Sequence, residues 1–221
     1  MNITVIAATG GIGRQILRQA VAAGHDVTAV VRDPARLSEQ VRTVTADLST
    51  AGPAVLGSAV EGADAVLSGL GARSSKEAGV AWRGTRAVAT AMAEAGVRRI
   101  VVVSAAPIGT VALPDRPRPP KHDPGDGFFM RNLGAPLTRL FLREHYADLA
   151  LMEEELRESG LDWTIVRPPR LTDRPLTGTY RTAYERNVRG GTLVSRADVA
   201  HCMLRALEQP ETVRHTLGIA G

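Results

Sequence analysis

The sequence predicts an α/β fold, a doubly wound parallel sheet with helices on both faces. Three observations predict it. Strand-like and helix-like segments alternate over residues 3–103, the pattern of parallel strands joined by crossover helices. The strand candidates are short continuous apolar runs, as expected of strands covered on both sides. The first of them enters a glycine-rich turn, Ala7-Ala-Thr-Gly-Gly-Ile-Gly13, that opens directly into a helical pattern.

Ile3–Ala7 reads as the first strand. Gly11–Ala23 is a helix, because Ile12, Ile16, Ala20 and Ala23 recur at helical spacing and Gly24 supplies a stop. Val27–Val31 is the second strand. Asp33-Pro34 starts a helix, with Asp33 as cap and Pro34 at the first helical position. Val41–Val44 is a weaker strand, Pro53–Val60 a helix closed by Gly62, and Ala65–Ser68 a strand. Ala78–Ala95 is a long helix carrying Trp82, Val88 and Met92, ended by Gly96. Ile100–Val103 is the fifth and most apolar strand.

After Ser104 the regularity breaks. Pro114–Gly127 holds five prolines and reads as an exposed loop. Phe128–Tyr146 follows, with Leu133, Leu137, Leu140 and Phe141 on one helical face. A helix over Ala147–Glu158 leads to a sixth strand at Trp163–Arg167, which Pro168-Pro169 ends. Thr179–Thr182 and Leu193–Ser195 read as short strands. Ser195-Arg-Ala-Asp198 has the form of a capped helix start, and that helix runs to about Glu208. We expect one domain over 1–221, with a lid or substrate-side insertion at about 108–146 and a small C-terminal substrate-side extension.

The chain has 221 residues and a formal net charge of +4. Lys76 and Lys121 are its only lysines, so arginine supplies almost all the positive charge. No basic run is interleaved with aromatics, which argues against nucleic acid. No apolar run is long enough for a transmembrane segment. Together with the single Cys202 and an N-terminus without a secretory pattern, this favours a cytoplasmic setting. The five histidines show no metal-ligand spacing, so no metal is expected. Cys202 shares an apolar stripe with Val199, Met203 and Ala206 and reads as core. Glu153-Glu-Glu155 reads as a solvated helix face.

The residues that carry chemistry should follow the strands, since parallel sheets bind ligands beyond their carboxyl ends where strand order reverses. The first turn brings backbone N–H groups and a helix N-terminus onto one point, which suits a pyrophosphate. Ala7 takes the place often held by a first glycine, while Gly10, Gly11 and Gly13 remain. Arg32 ends the second strand, nineteen positions after Gly13, where NAD binders usually carry an acid for the ribose 2′-OH. Arg32, with Arg36, would instead pair with a 2′-phosphate, so NADPH is expected over NADH. Asp47 either accepts from an adenine amino group or serves as a loop carboxylate. Gly69-Leu-Gly71 lets the backbone approach a ligand, and Arg73 reaches a phosphate or lies in solvent.

The segments Ala7–Gly13, Val31–Leu37, Gly69–Arg73, Val103–Ala105, Glu155–Leu171 and Pro175–Tyr180 resemble the NAD(P)-binding, NmrA-like atypical short-chain dehydrogenase/reductases. They are most similar to the biliverdin reductase B and NADPH-dependent flavin reductase branch. The resemblance covers nearly the whole chain, and is least in about 108–144. It implies a Rossmann-like fold with NADPH across the strand ends. By position it implies cofactor contacts from Thr9, Gly10, Ile12, Gly13, Arg32, Arg36, Asp47, Leu48, Leu70, Gly71 and Arg73. It also implies Ser104 near the nicotinamide, with Pro169, Arg170 and Leu171 in a loop beside it. Arg170 stands where the family enzyme has a histidine, so that histidine's roles do not carry over.

Typical short-chain dehydrogenases use a Tyr-x-x-x-Lys dyad, whose lysine lowers the tyrosine pKa. Here Ala150, Tyr184 and Val188 stand four positions after Tyr146, Tyr180 and Tyr184, so the dyad is absent. Flavin, quinone and tetrapyrrole acceptors ask less, because their reduced forms take protons from water. The expectation is an oxidoreductase passing hydride from NADPH to a flat conjugated acceptor. Ser104 would orient nicotinamide or acceptor, Arg170 would neutralise an acceptor anion, and Phe128, Phe129 and Phe141 would form an apolar cover. The alternative is a non-catalytic NADP-sensing regulator of the same family. A homo-oligomer is compatible with the sequence.

Overall fold

A computed structural model describes residues 1–71, 77–112, 118–125 and 143–221; nothing is described of the Arg143 side chain. The strands and helices in chain order are β1 (Asn2–Ile6), α1 (Gly11–Ala22), β2 (Asp26–Val31), β3 (Arg42–Thr45), α2 (Pro53–Val60), β4 (Ala65–Ser68), α3 (Val80–Glu94) and β5 (Arg99–Val103). There follow α4 (Arg143–Glu158), β6 (Asp162–Arg167), β7 (Arg170–Thr172), β8 (Arg181–Tyr184), β9 (Leu193–Ser195), α5 (Arg196–Arg205) and β10 (His215–Ala220).

The main sheet has the order β3-β2-β1-β4-β5-β6-β10-β8. Its strands run parallel except β8, which pairs antiparallel with β10. The sequence-predicted doubly wound, Rossmann-like sheet is therefore present. Strand order reverses at β1, which pairs with β2 on one side and β4 on the other. A ligand crevice is expected at that switch point.

Alternate residues of each strand feed two separate cores. Ile6, Val30, Ile100 and Val102 pack with residues of α2, α3 and α4. Ile3, Val5, Ala29, Val31, Val101 and Val103 pack with α1 and α5. Successive side chains of a strand point to opposite faces, so a run such as Ile100–Val103 must be apolar throughout to satisfy both layers. Cys202 lies in the second core, as its stripe predicted, and burial pushes its thiol up to about 12.

Local signals placed most elements. Ser195 accepts from the Asp198 backbone N–H at 2.9 Å, the cap read from Ser195-Arg-Ala-Asp198. Asp33 accepts from Ala35 N at 3.1 Å, but only one 3-10 turn, Pro34–Arg36, follows it. Three elements differ from expectation. β7 begins immediately after Pro168-Pro169 and pairs with β9 in a small second sheet. The strand expected at Thr179–Thr182 lies at Arg181–Tyr184. β10, not anticipated, is a central strand between β6 and β8. Among the described residues, no helix is long and apolar enough to cross a membrane.

Residues 118–125 of the predicted loop over 114–127 and residues 143–146 of the predicted helix over 128–146 are described; the rest of both lies outside the described residues, as do Arg73, Phe128, Phe129 and Phe141. Residues 118–125 are fastened by Asp123, whose carboxylate accepts from Gly125 N and Asn187 N, both at 2.8 Å.

Candidate functional site

The cleft lies where the switch point predicts, and its geometry starts with a close approach of backbones. Ala7 follows β1 with φ of +58°, a left-handed conformation rare for a residue with a Cβ. The turn is closed by Gly10 N donating to the Ala7 carbonyl at 2.8 Å. A Cβ on Gly13 would stand 2.1 Å from that carbonyl oxygen. A Cβ on Gly69 would stand 2.7 Å from Gly13 N. Both partners are backbone and cannot give way. Glycine at 13 and 69 is thus required for α1 to seat against the ends of β1 and β4.

That seating brings the N-terminus of α1 to the edge of the cleft. Gly10 is its N-cap, with extended backbone and no side chain of its own to cap the helix, and the first turn carries no acid. The first N–H groups of an uncapped helix and its dipole favour an anion there. Thr9 and Gly10 line the cleft, together with Arg32, Asp47, Leu48, Ser49, Leu70, Gly71, Glu77 and Arg83. Ile12 differs from its neighbours: its side chain is buried in the core beside α1. What it can offer a ligand is backbone.

Opposite the turn, Arg32 follows β2 with its side chain 45% exposed. Its Nη1 donates to Glu77 Oε1 at 2.8 Å. Arg36 stands exposed on its one-turn helix and does not line the cleft. Asp47 is exposed and accepts from Ser49 N at 3.0 Å and Ser49 Oγ at 2.8 Å. Those two hydrogen bonds, helped by the Arg32 charge, hold its carboxyl below the usual range. Asp47 is therefore an Asx-type loop acceptor that also lines the cleft.

Ser104 follows β5, two strands from the turn, and its N–H bonds the Val166 carbonyl at 2.8 Å. Its hydroxyl donates to Glu153 Oε1 at 2.6 Å. This overturns one expectation. Glu153 is not on a solvated face: it is 0% exposed. It also accepts from Arg167 through Nε at 2.8 Å and through Nη2, and from Arg157 Nη2 at 2.8 Å. Burial raises the Glu153 carboxyl, but the two guanidiniums and the Ser104 hydroxyl outweigh it and hold it below the ordinary range. A helical acid every few residues normally faces water, and only the partners reached across the fold turn this one inward.

The remaining expected residues gather beyond β6. Pro168 is buried and its carbonyl accepts from Ala106 N at 2.9 Å, while Pro169 is half-buried. Arg170 is exposed on β7, and Leu171 packs on the core beside α1. Tyr180 bonds His201 Nδ1 at 2.8 Å, and burial pushes its phenol up.

Sequence reasoning missed Glu77, Arg83 and Arg196. Arg196 opens α5, far along the chain, yet its Nε lies 2.8 Å from where a Cβ of Gly11 would be. Its Nη1 pairs with Asp173 Oδ1 at 2.7 Å. A guanidinium thus lies against the mouth of α1. Neither the spacing nor the local pattern around Arg196 signals this.

Comparison with known proteins agrees with the cleft. One family, described as NAD(P)H-binding, matches residues 7–210. The chain belongs to the NAD(P)H-binding family. It is 27% identical over 226 residues to the uncharacterized protein YwnB of Bacillus subtilis, covering 96% of this chain and 94% of that one. A Streptococcus pneumoniae TIGR4 structure, provisionally assigned as an NADH-flavin reductase, superposes with a TM-score of 0.71 at 25% identity over the whole of both chains. A short-chain dehydrogenase/reductase of Veillonella parvula, solved in complex with NADP, superposes with a TM-score of 0.77 at 19% identity, covering 100% of this chain and 94% of that one.

Proposed function

We propose that this NAD(P)H-binding protein is an NADPH-dependent oxidoreductase that passes hydride to a flat conjugated acceptor of the flavin, quinone or tetrapyrrole type. The observation that carries the reading is the pairing of two features in one cleft. One is the side-chain-free approach of Gly10, Gly13 and Gly69 at the mouth of α1. The other is the Arg32 guanidinium lining the same cleft. The cradle fits a diphosphate, and a guanidinium fits a 2′-phosphate by fork geometry. Arg196, against Gly11, adds a cation beside the diphosphate position. The V. parvula neighbour holding NADP and the provisional flavin reductase support the same class.

When bound, the coenzyme supplies a hydride from its nicotinamide C4. The chain's own residues bind, orient and neutralise. The Ser104 proton is committed to the Glu153 carboxylate, so Ser104 offers lone pairs to an N–H of the ligand beside it. Arg170, exposed on β7, would meet an acceptor carboxylate or phosphate. Without a Tyr-x-x-x-Lys dyad and with Glu153 ionised, protons come from water, which conjugated acceptors permit. A sensor that binds NADP without turnover is favoured by the Ser104 proton, which is given to Glu153.

The test is steady-state NADPH consumption with FMN, dichlorophenolindophenol, a quinone and biliverdin. Turnover with at least one is expected. Tight NADPH binding without turnover on the whole panel would establish the sensor instead. Arg32→Ala, followed by calorimetry, should weaken NADPH more than NADH. Half-exposure and the need to leave Glu77 reduce a charged hydrogen bond's full value to about 1–2 kcal/mol, or roughly five- to thirtyfold. Equal losses for both coenzymes would remove Arg32 from the 2′-phosphate.

A further inference from the structure

Arg32 does not wait unpaired in the cleft. Glu77, just ahead of α3, holds its guanidinium at 2.8 Å, with the glutamate side chain 24% exposed. Asp47 faces the same guanidinium closely enough to feel its charge. The cleft that would take an extra phosphate therefore carries two carboxylates around its arginine. A 2′-phosphate must either displace Glu77 from Arg32 or sit beside it and suffer like-charge repulsion. Both routes have the same sign. A ribose 2′-hydroxyl has no such conflict, since it can donate to a carboxylate.

We propose that Glu77 is a specificity-determining residue: its carboxylate competes with the 2′-phosphate for Arg32 and narrows the coenzyme preference, so that the site also admits NADH. The inference rests on the reading of Arg32 given above. It concerns a residue that touches the coenzyme's adenosine end and leaves the reacting end alone. Glu77 differs from Asp47 here, because it bonds the Arg32 guanidinium directly at 2.8 Å, whereas the Asp47 carboxylate accepts from Ser49.

The experiment is calorimetric titration of the full chain and its Glu77→Gln variant with NADP+, NAD+, 2′,5′-ADP and 5′-AMP. Removing the charge should tighten NADP+ and 2′,5′-ADP by about three- to tenfold, the range set by an exposed ion pair and a screened repulsion. NAD+ and 5′-AMP should stay within about twofold or weaken slightly. Glu77→Ala should shift the ratio in the same direction, which separates lost charge from a new amide contact. An unchanged or lowered NADP+ affinity in Glu77→Gln overturns the proposal, as does an equal gain for both coenzymes. Arg32→Ala distinguishes the two failures. If it lowers NADP+ selectively while Glu77→Gln changes nothing, the Arg32 assignment stands and Glu77 falls. If Arg32→Ala leaves the NADP+/NAD+ ratio unchanged, both fall.

Discussion

Glu153→Gln probes the buried charge cluster beneath Ser104. The substitution keeps shape and removes one charge. In the folded chain Glu153 is fully buried and Arg167 is 7% exposed, with two of its nitrogens on that carboxylate. Breaking a buried ion pair by deleting one partner costs about 3–5 kcal/mol, because the remaining charge is left without compensation. Two features reduce this. Gln keeps one carbonyl acceptor, and Arg157, 30% exposed and already paired with Glu154 at 3.3 Å, can turn to water. The expected loss is about 2–4 kcal/mol at neutral pH by that reasoning, or roughly 4–16 °C in Tm for a chain of this size.

Denaturant unfolding followed by circular dichroism reads this loss, and acid adds an independent check. The folded Glu153 carboxyl titrates below its ordinary 4.5. Its contribution is therefore complete above that value and is lost as pH falls through the folded pKa. The gap between wild type and Glu153→Gln should persist from neutral pH down to about 5 and close in stronger acid. A loss under about 1 kcal/mol at pH 7, or a gap that widens in acid, would refute the argument that Glu153 is the ionised centre of this cluster.

Further outcomes follow from the same geometry. Gly13→Ala places a Cβ 2.1 Å from the Ala7 carbonyl oxygen, so α1 must move off β1; we expect a loss of about 2–4 kcal/mol in unfolding free energy, with coenzyme binding abolished in calorimetry. Ser104→Ala should lower turnover with the best acceptor by about two- to tenfold, the worth of one hydrogen bond, while coenzyme affinity stays within twofold. Unchanged turnover would leave Ser104 a purely structural partner of Glu153.

Much of the fold was legible because its signals are local. Gly10, Gly11 and Gly13 between an apolar run and a helical stripe dictate strand, turn and helix without help from elsewhere. Asp33 and Ser195 cap the backbone two and three residues ahead. Full apolar runs such as Ile100–Val103 announce a sheet covered on both faces. β10 was illegible for the opposite reason. His-Thr-Leu-Gly-Ile-Ala has weak strand propensity, and Gly218 is there because a Cβ would meet the Arg186 carbonyl at 2.2 Å, a contact no local pattern encodes.

The amino-acid sequence by itself determined a doubly wound sheet, a glycine turn leading straight into the first helix, and an arginine where an acid is usual. Each is a property of neighbouring residues acting through backbone geometry. Tertiary structure alone decided which charges meet. It turned Glu153 inward onto Ser104 and Arg167, laid Arg196 across Gly11, and set Glu77 on Arg32. Electrostatic pairing acts through space while spacing along the chain acts through bonds, so only folding could bring these partners together.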